Sequence, residues 1–363
     1  MAIYDAQSDA DERVEHVYSF VVTPRQKPER IDAFVTRMIQ HATRSRVQKA
    51  IDQGTVTVNG AVTKANYKIR PHDVVEVVVK RQPPIALIPE DIPLNVLYED
   101  DHLLVIDKQA GLLTHPGVGN RSGTLVNAVL WHLGQREAIE VDIDDAVGDG
   151  EDDEGASYDE HQVMSSSALR PGIVHRLDRD TTGVMVIGKS YEATMQLAQQ
   201  FHDRTVSREY VALVWGVVKQ DHQTIEGNIG FSSRNRKLMA VVERGGKHAA
   251  TDVTVTARFD LASLVRLKLH TGRTHQIRVH MSSIRHPVVG DADYGGRETA
   301  INGVHHIYRR VAQRVLACVQ RQALHARTLG FTHPVTKERM SFESPVPADM
   351  QSAIDILYAA SAA

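Results

Sequence analysis

Gly172-Ile173-Val174-His175-Arg176-Leu177-Asp178-Arg179-Asp180-Thr181-Thr182-Gly183 runs straight into Val184-Met185-Val186-Ile187-Gly188. The second stretch is a short, unbroken apolar run, the pattern of a strand covered on both faces. The first crowds His175, Arg176, Asp178, Arg179 and Asp180 at the entrance to that strand. A solvated turn does not need such a strand, and a buried strand seldom begins beside five ionisable groups. A polar cleft at the edge of a sheet reconciles the two, because neighbouring arginines there favour the ionised form of a carboxylate. Composition alone also fits a surface turn with ordinary ion pairs.

Outward from this stretch, Leu103-Leu104-Val105-Ile106 reads as another buried strand, followed by Lys108, a turn at Gly111 and His115-Pro116-Gly117. Strand-like alternation recurs at Thr251 to Phe259 and Leu264 to His270. Strands and helices interleave with hairpins rather than in regular βαβ units, which predicts an α+β fold with a mixed, mainly antiparallel sheet and flanking helices.

A smaller α/β unit is expected at residues 19–82, after a flexible arm at 1–18. Ile31, Phe34, Val35, Met38 and Ile39 recur at helical spacing. Ser45 can cap a second helix carrying Val47, Ala50 and Ile51, with Gly54 as its stop. Thr55 to Gly60 reads as a strand ending in an Asn-Gly turn, and Asp73 to Val79 as a second strand. Pro83, Pro84, Pro89 and Pro93 mark residues 83–93 as a stiff linker, so the larger domain is expected at 94–355.

The 363 residues suffice for two cores, and no apolar stretch approaches a membrane span. The polar, acidic first fifteen residues lack the apolar centre of a secretory signal. Cys318 is the only cysteine, which excludes an internal disulfide and a cysteine-rich zinc site. The chain is therefore expected in the cytoplasm. Its net charge of −3 conceals two opposed regions. Glu137 to Glu160 holds twelve acidic residues and no Lys or Arg, and without them the remainder stands at +9. This stretch, about 137–165, has too few large apolar residues to fold alone and is expected as a disordered insertion. From Arg25 to Arg81, twelve Lys or Arg face five Asp or Glu, a balance of +7 that suits a phosphate-rich partner.

The motifs, taken in order, resemble those of the RluA-type pseudouridine synthases. His175-Arg176-Leu177-Asp178, with Thr182-Gly183 and the short strand, is similar to the family's catalytic motif. Phe201 to Gly216 resembles its second motif and Thr271 to His280 its third; His286-Pro287, Gly290-Asp291, Tyr294-Gly295 and Gln322 to Ala326 complete the pattern. The resemblance covers about 94–355 with one interruption, the acidic stretch. Residues 29–80 resemble the alpha-L RNA-binding domain. Thr114 to Gly117 and Gly123 to Asn127 look most like the ribosomal large-subunit branch.

The resemblance implies isomerisation of uridine to pseudouridine in RNA, without a cofactor or metal. The absence of a Gly-rich phosphate loop and of metal-ligand spacing agrees with that. It makes Asp178 the catalytic carboxylate, Arg278 its partner, and Tyr210 the ring packed on the target base. Arg208 stands where the family often has lysine. Arg273 is a weaker candidate for the carboxylate partner or for phosphate. Arg176, His175 and His275 are expected on the RNA side of the cleft, with Arg176 filling the space left by a flipped nucleotide. Arg44, Arg46 and Lys49 are expected to meet phosphates from the small unit. The implied partner is structured RNA, large-subunit ribosomal RNA or a pre-ribosomal particle, bound by a monomer with no membrane. Two other readings have less support. Asp178-Arg179-Asp180-Thr181-Thr182 fits an Asp-x-Asp-x-Thr phosphatase, but that chemistry wants its strand before the first aspartate and here it comes after. RNA binding without catalysis conflicts with the intact Asp178, Tyr210 and Arg278.

Overall fold

A computed structural model describes residues 14–39, 42, 44–81, 85–116, 120–141 and 172–362. Most of the acidic stretch and the first thirteen residues lie outside these, as do Pro83, Pro84 and Gly117. The chain divides into two compact units between Ala86 and Leu87, the first also taking in residues 139–141.

The first unit contains β1 (Val14–Val21), α1 (Ile31–Met38), α2 (Arg44–Asp52), β2 (Val56–Val58), β3 (Ala61–Val62) and β4 (Val74–Arg81). Its sheet has the order β1-β4-β2-β3. Strand β1 pairs antiparallel with β4 from Val14↔Arg81 to Val21↔Val74, so ordered structure starts inside the stretch expected as a flexible arm. The pairing explains this: alternate residues of β1, Tyr18 and Phe20, pack on the core of Ile31, Phe34, Val35, Val47, Ile51, Val56 and Val75. Met38 departs from its expected place in that core and is exposed, while Ile39 is buried. Helix α2 begins at Arg44, so Ser45 lies inside it rather than before it. Gly54 at φ 75° and the Asn59-Gly60 pair at φ 51° and 78° supply the left-handed backbone that a helix stop and a tight hairpin require.

The remaining elements are β5 (Ile85–Leu87), β6 (Asn95–Glu99), β7 (Leu103–Lys108), α3 (Leu125–His132), β8 (Ile139–Val141), β9 (Gly172–Ile173), β10 (Thr182–Gly188), α4 (Tyr191–His202), β11 (Ser207–Trp215), β12 (His222–Phe231), β13 (Met239–Val242), β14 (Lys247–Arg258), β15 (Ala262–Leu269), α5 (Gln276–Ser283), α6 (Glu298–Gly303), α7 (Arg309–Cys318), β16 (Leu324–Thr332), β17 (Arg339–Glu343) and α8 (Ala348–Ser361). The expected linker is more structured than its prolines suggest. Strand β5 pairs with β8, Leu87 is buried, and Asn127 of α3 donates to the Ile88 carbonyl while its own carbonyl accepts from Glu90 N–H.

The second unit is built on one mixed sheet of eleven strands in the order β13-β12-β14-β15-β11-β16-β10-β7-β6, with β17 on β16 and β9 on β10. Among its described strand pairings only β10–β16 is parallel; the others are antiparallel. This is the mixed, mainly antiparallel α+β architecture expected. Strand β10 is buried along its whole length, and its apolar run packs edge to edge with the equally buried β7. Gly183 sits where β10 meets β16, at φ 125°, and a Cβ there would lie 2.1 Å from the Ala326 carbonyl oxygen. Only glycine permits that approach. It sets the position of the loop before β10, which carries Asp178.

Candidate active site

Asp178 lies in a cleft lined by Arg176, Leu177, Thr181, Tyr210, Leu269, Gly272 to Arg278 and Leu324. The lining comes from the loop before β10, from β11, from the start of β16, and from the end of β15 with the turn into α5. All of it belongs to the second unit.

The Asp178 loop is pinned through its carbonyls. Thr114 Oγ1 donates to Leu177 O at 2.9 Å. Lys108 Nζ donates to Arg179 O at 2.9 Å, and also to Leu112 O and Gln109 O. Arg321 Nη1 donates to Asp180 O at 3.0 Å. Thr181 N–H closes the turn onto Asp178 O. Lys108 is wholly buried. Burial pulls its pKa down to about 8, against the opposing pull of Asp178 and Asp180.

Arg278 Nη1 reaches Asp178 Oδ2 at 3.2 Å. The same guanidinium makes a two-toothed pair with the fully buried Asp291, Nε to Oδ2 at 2.7 Å and Nη2 to Oδ1 at 2.9 Å, and Nη2 meets Asp293 Oδ2 at 2.8 Å. It also lies over the Tyr294 ring, 4.9 Å from the centroid. Burial alone would lower its pKa; the three carboxylates outweigh burial and raise it. Arg278 is therefore a fixed cation that presents one N–H face to Asp178. Sequence reasoning does not single out Asp293 and Tyr294 as site residues, nor Asp291 as the anchor of Arg278. Their signal is the Gly290-Asp291 and Tyr294-Gly295 pattern.

The turn entering α5 brings up His275, which caps the helix at φ 56°, a left-handed backbone unusual outside glycine. Gln276 fixes this turn: its Oε1 accepts from Thr271 Oγ1 and Arg273 N–H, and its Nε2 donates to Ala250 O and Thr251 Oγ1. Tyr294 Oη accepts from Met239 N–H and lies 2.8 Å from His275 Nδ1. If Oη gives its proton to Nδ1, all three atoms are satisfied and the His275 proton stands on Nε2, 3.9 Å from Asp178 Oδ2. Burial lowers the His275 pKa, and burial holds Tyr294 protonated by raising its value to about 12. His275 thus stands beside the carboxylate.

Tyr210 is buried in β11, opposite Leu267 of β15 and Ala326 of β16, at a bulge in the β11–β16 register. Burial raises its pKa, and its side chain lines the cleft beside Asp178. Arg176 is exposed at the rim. Arg273 also lines the cleft, but its Nε is held by His248 O at 2.9 Å; the carboxylate partner is Arg278. His175, expected on the RNA side, is not part of the cleft lining. It is buried, stacked on Phe201 with centroids 4.6 Å apart, and its Nε2 accepts the Val186 N–H at 3.0 Å. Burial pushes its pKa to about 3, so it is a neutral ring bracing β10. Arg208 is likewise stacked over Phe201, 5.4 Å from the centroid. In the first unit, Arg44 is drawn into an internal network: Asp32, fully buried, accepts from Arg30, Arg44 and Gln48. Lys49 is exposed in the last turn of α2, and Arg46 lies on the same helix.

The family described as RNA pseudouridylate synthase matches residues 102–283, and the S4 domain matches residues 29–75. The chain belongs to the RNA pseudouridylate synthase family. It is 43% identical over 337 residues to an uncharacterized RNA pseudouridine synthase of Chlorobaculum parvum, covering 92% of this chain and 95% of that one. It is 39% identical to ribosomal large subunit pseudouridine synthase D of Pseudomonas aeruginosa, covering 91% and 92%, and 38% identical to the protein of that name from Vibrio vulnificus, covering 91% of each. The chain is thus an RNA pseudouridine synthase, an isomerase with an RNA-binding S4 domain. Among the described residues no helix is long and apolar enough to cross a membrane.

Proposed function

We propose that Asp178 is the carboxylate that acts on the target uridine, that Arg278 orients it, that Tyr210 packs against the base, and that the substrate is large-subunit ribosomal RNA. The reaction breaks the bond from N1 to the sugar and joins the sugar to C5, while the C5 proton leaves and N1 regains one. It is redox-neutral and asks for no cofactor. One ionised carboxylate serves either route, adding to the sugar or removing a sugar proton. The observation that carries this reading is the 3.2 Å contact between Asp178 and an arginine that is itself locked by Asp291 and Asp293. A cation so fixed keeps the carboxylate aimed into the cleft. Support for the RNA class comes from the names of the relatives, the S4 match and the +7 balance over residues 25–81.

Asp178→Asn keeps the size of the side chain and removes its charge. It is expected to abolish pseudouridine formation while leaving RNA affinity near wild type; turnover within about tenfold of wild type would overturn the assignment. Mapping pseudouridines in cellular RNA with and without the gene tests the substrate. Loss of a large-subunit ribosomal site is expected, and loss of a transfer-RNA site alone would refute it.

A further inference from the structure

The loop carrying Asp178 is braced from a part of the chain far away in sequence. Arg321 Nη1 donates to Asp180 O at 3.0 Å, two residues after Asp178, and also to Gln322 O and Leu324 O. Its other nitrogens form a two-toothed pair with Asp349 in the first turn of α8, Nε to Oδ2 at 2.8 Å and Nη2 to Oδ1 at 3.0 Å. The bonding continues in register along the chain. Gln322 Nε2 donates to Thr181 Oγ1 at 3.2 Å, and Thr182 Oγ1 lies 2.9 Å from His325 Nδ1. Residues 321–325 therefore run beside residues 180–182, just where β10 and β16 make their short parallel pairing. Helix α8 supplies the anchor.

We propose that Arg321, held by Asp349, is a positioning residue for the isomerisation: it fixes the Asp180 carbonyl and through it the direction of Asp178. This rests on the reading of Asp178 as the acting carboxylate. Arg321 is not itself part of the cleft lining. Its effect must pass through the turn closed by Thr181 N–H on Asp178 O. A guanidinium suits the task because its planar fork binds a carboxylate on one edge and leaves N–H groups on the other for carbonyls. A lysine can reach one side but not both.

The test uses the full-length protein and single-turnover conversion of RNA under saturating enzyme. That rate constant does not depend on the fraction of enzyme that is folded. Arg321→Ala is expected to lower it about 10- to 100-fold, as a displacement of the order of 1 Å at a reacting group would. RNA affinity should stay within about threefold, because no RNA-facing charge is removed. Arg321→Lys should recover part of the rate, and Asp349→Asn, which keeps the arginine but loosens its anchor, should fall between wild type and Arg321→Ala. If Arg321→Ala does not fold, the Lys and Asn variants carry the test. Wild-type single-turnover rates in the variants that fold, or a loss confined to affinity, would overturn the proposal. Asp178→Asn, run alongside, separates the two failures: turnover by that variant would remove the reading of Asp178 itself.

Discussion

At the scale of single residues, the charge on each group depends on what it touches. Arg278 was legible as a partner for Asp178 through its motif. That it also satisfies Asp291 and Asp293 was not, because only the fold brings all three acids to one guanidinium. His175 shows the opposite failure. Three residues from Asp178, it reads as part of the site, yet it points back into the sheet and accepts a strand N–H. Nothing in a sequence tells which way a loop side chain points. Lys108 gives a test with a definite sign. Its pKa falls from 10.5 to about 8 in the folded protein because burial penalises the charged form. Below pH 8 both folded and unfolded chains carry the proton, and the cost of the buried charge is fully present. Between pH 8 and 10.5 the unfolded chain binds more protons, so Lys108 contributes stability that rises with pH. Lys108→Met has no such proton. The unfolding free energy of wild type relative to this variant is expected to climb from pH 8 to 10.5, measured by denaturant titration. A pH-independent difference would show that Lys108 is not depressed.

At the scale of elements, the sequence spoke clearly where a pattern was local. The apolar run of β10, the Asn-Gly turn after β2 and the Gly54 helix stop were all readable from spacing and turn chemistry. Strand β1 was not, because its neighbour β4 is distant in sequence and its own acidic, polar start resembles an arm. The expected linker carries more structure than its prolines announce, for a related reason. Its prolines are real, but Leu87 is buried and Glu90 is tied down by α3, which no local pattern announces. The junction of β10 and β16 offers a comparison between two glycines of the same backbone sign. Gly183 at φ 125° has the Ala326 carbonyl where a Cβ would go, whereas Gly111 at φ 82° has nothing within 4 Å among the described residues. Gly111→Ala should cost only the strain of a left-handed alanine, about 1–2 kcal/mol. Gly183→Ala must also push two strands apart beside the Asp178 loop. It is expected to lower the denaturant midpoint well beyond Gly111→Ala and to reduce turnover in the protein that remains folded. Equal losses in the two variants would mean that the β10–β16 approach is looser than its geometry.

At the scale of the whole molecule, charge is distributed to two different regions of the chain. The S4-bearing unit holds +7 between Arg25 and Arg81, while twelve acids sit between Glu137 and Glu160. Net charge therefore says little about how this chain meets RNA. Inside the first unit part of the positive charge is already neutralised, since Arg30 and Arg44 are bound to Asp32 and Arg37 to Glu29. Lys49 is exposed on α2. A basic module joined to a catalytic one adds phosphate interactions and effective concentration without reading sequence. Removing residues 1–82 is the direct test. It takes away the S4 match and its sheet, but keeps β5 with its partner β8 and the buried Leu87. The second unit has its own sheet and core, so it should stay folded and convert a saturating RNA at near the full-length rate. Affinity for ribosomal RNA should fall. For every phosphate no longer neutralised, the log–log salt dependence should flatten by roughly 0.7–0.9. A truncated protein with unchanged affinity and slope would show that the catalytic unit alone neutralises the phosphates, and that the +7 of the first unit does not hold the RNA.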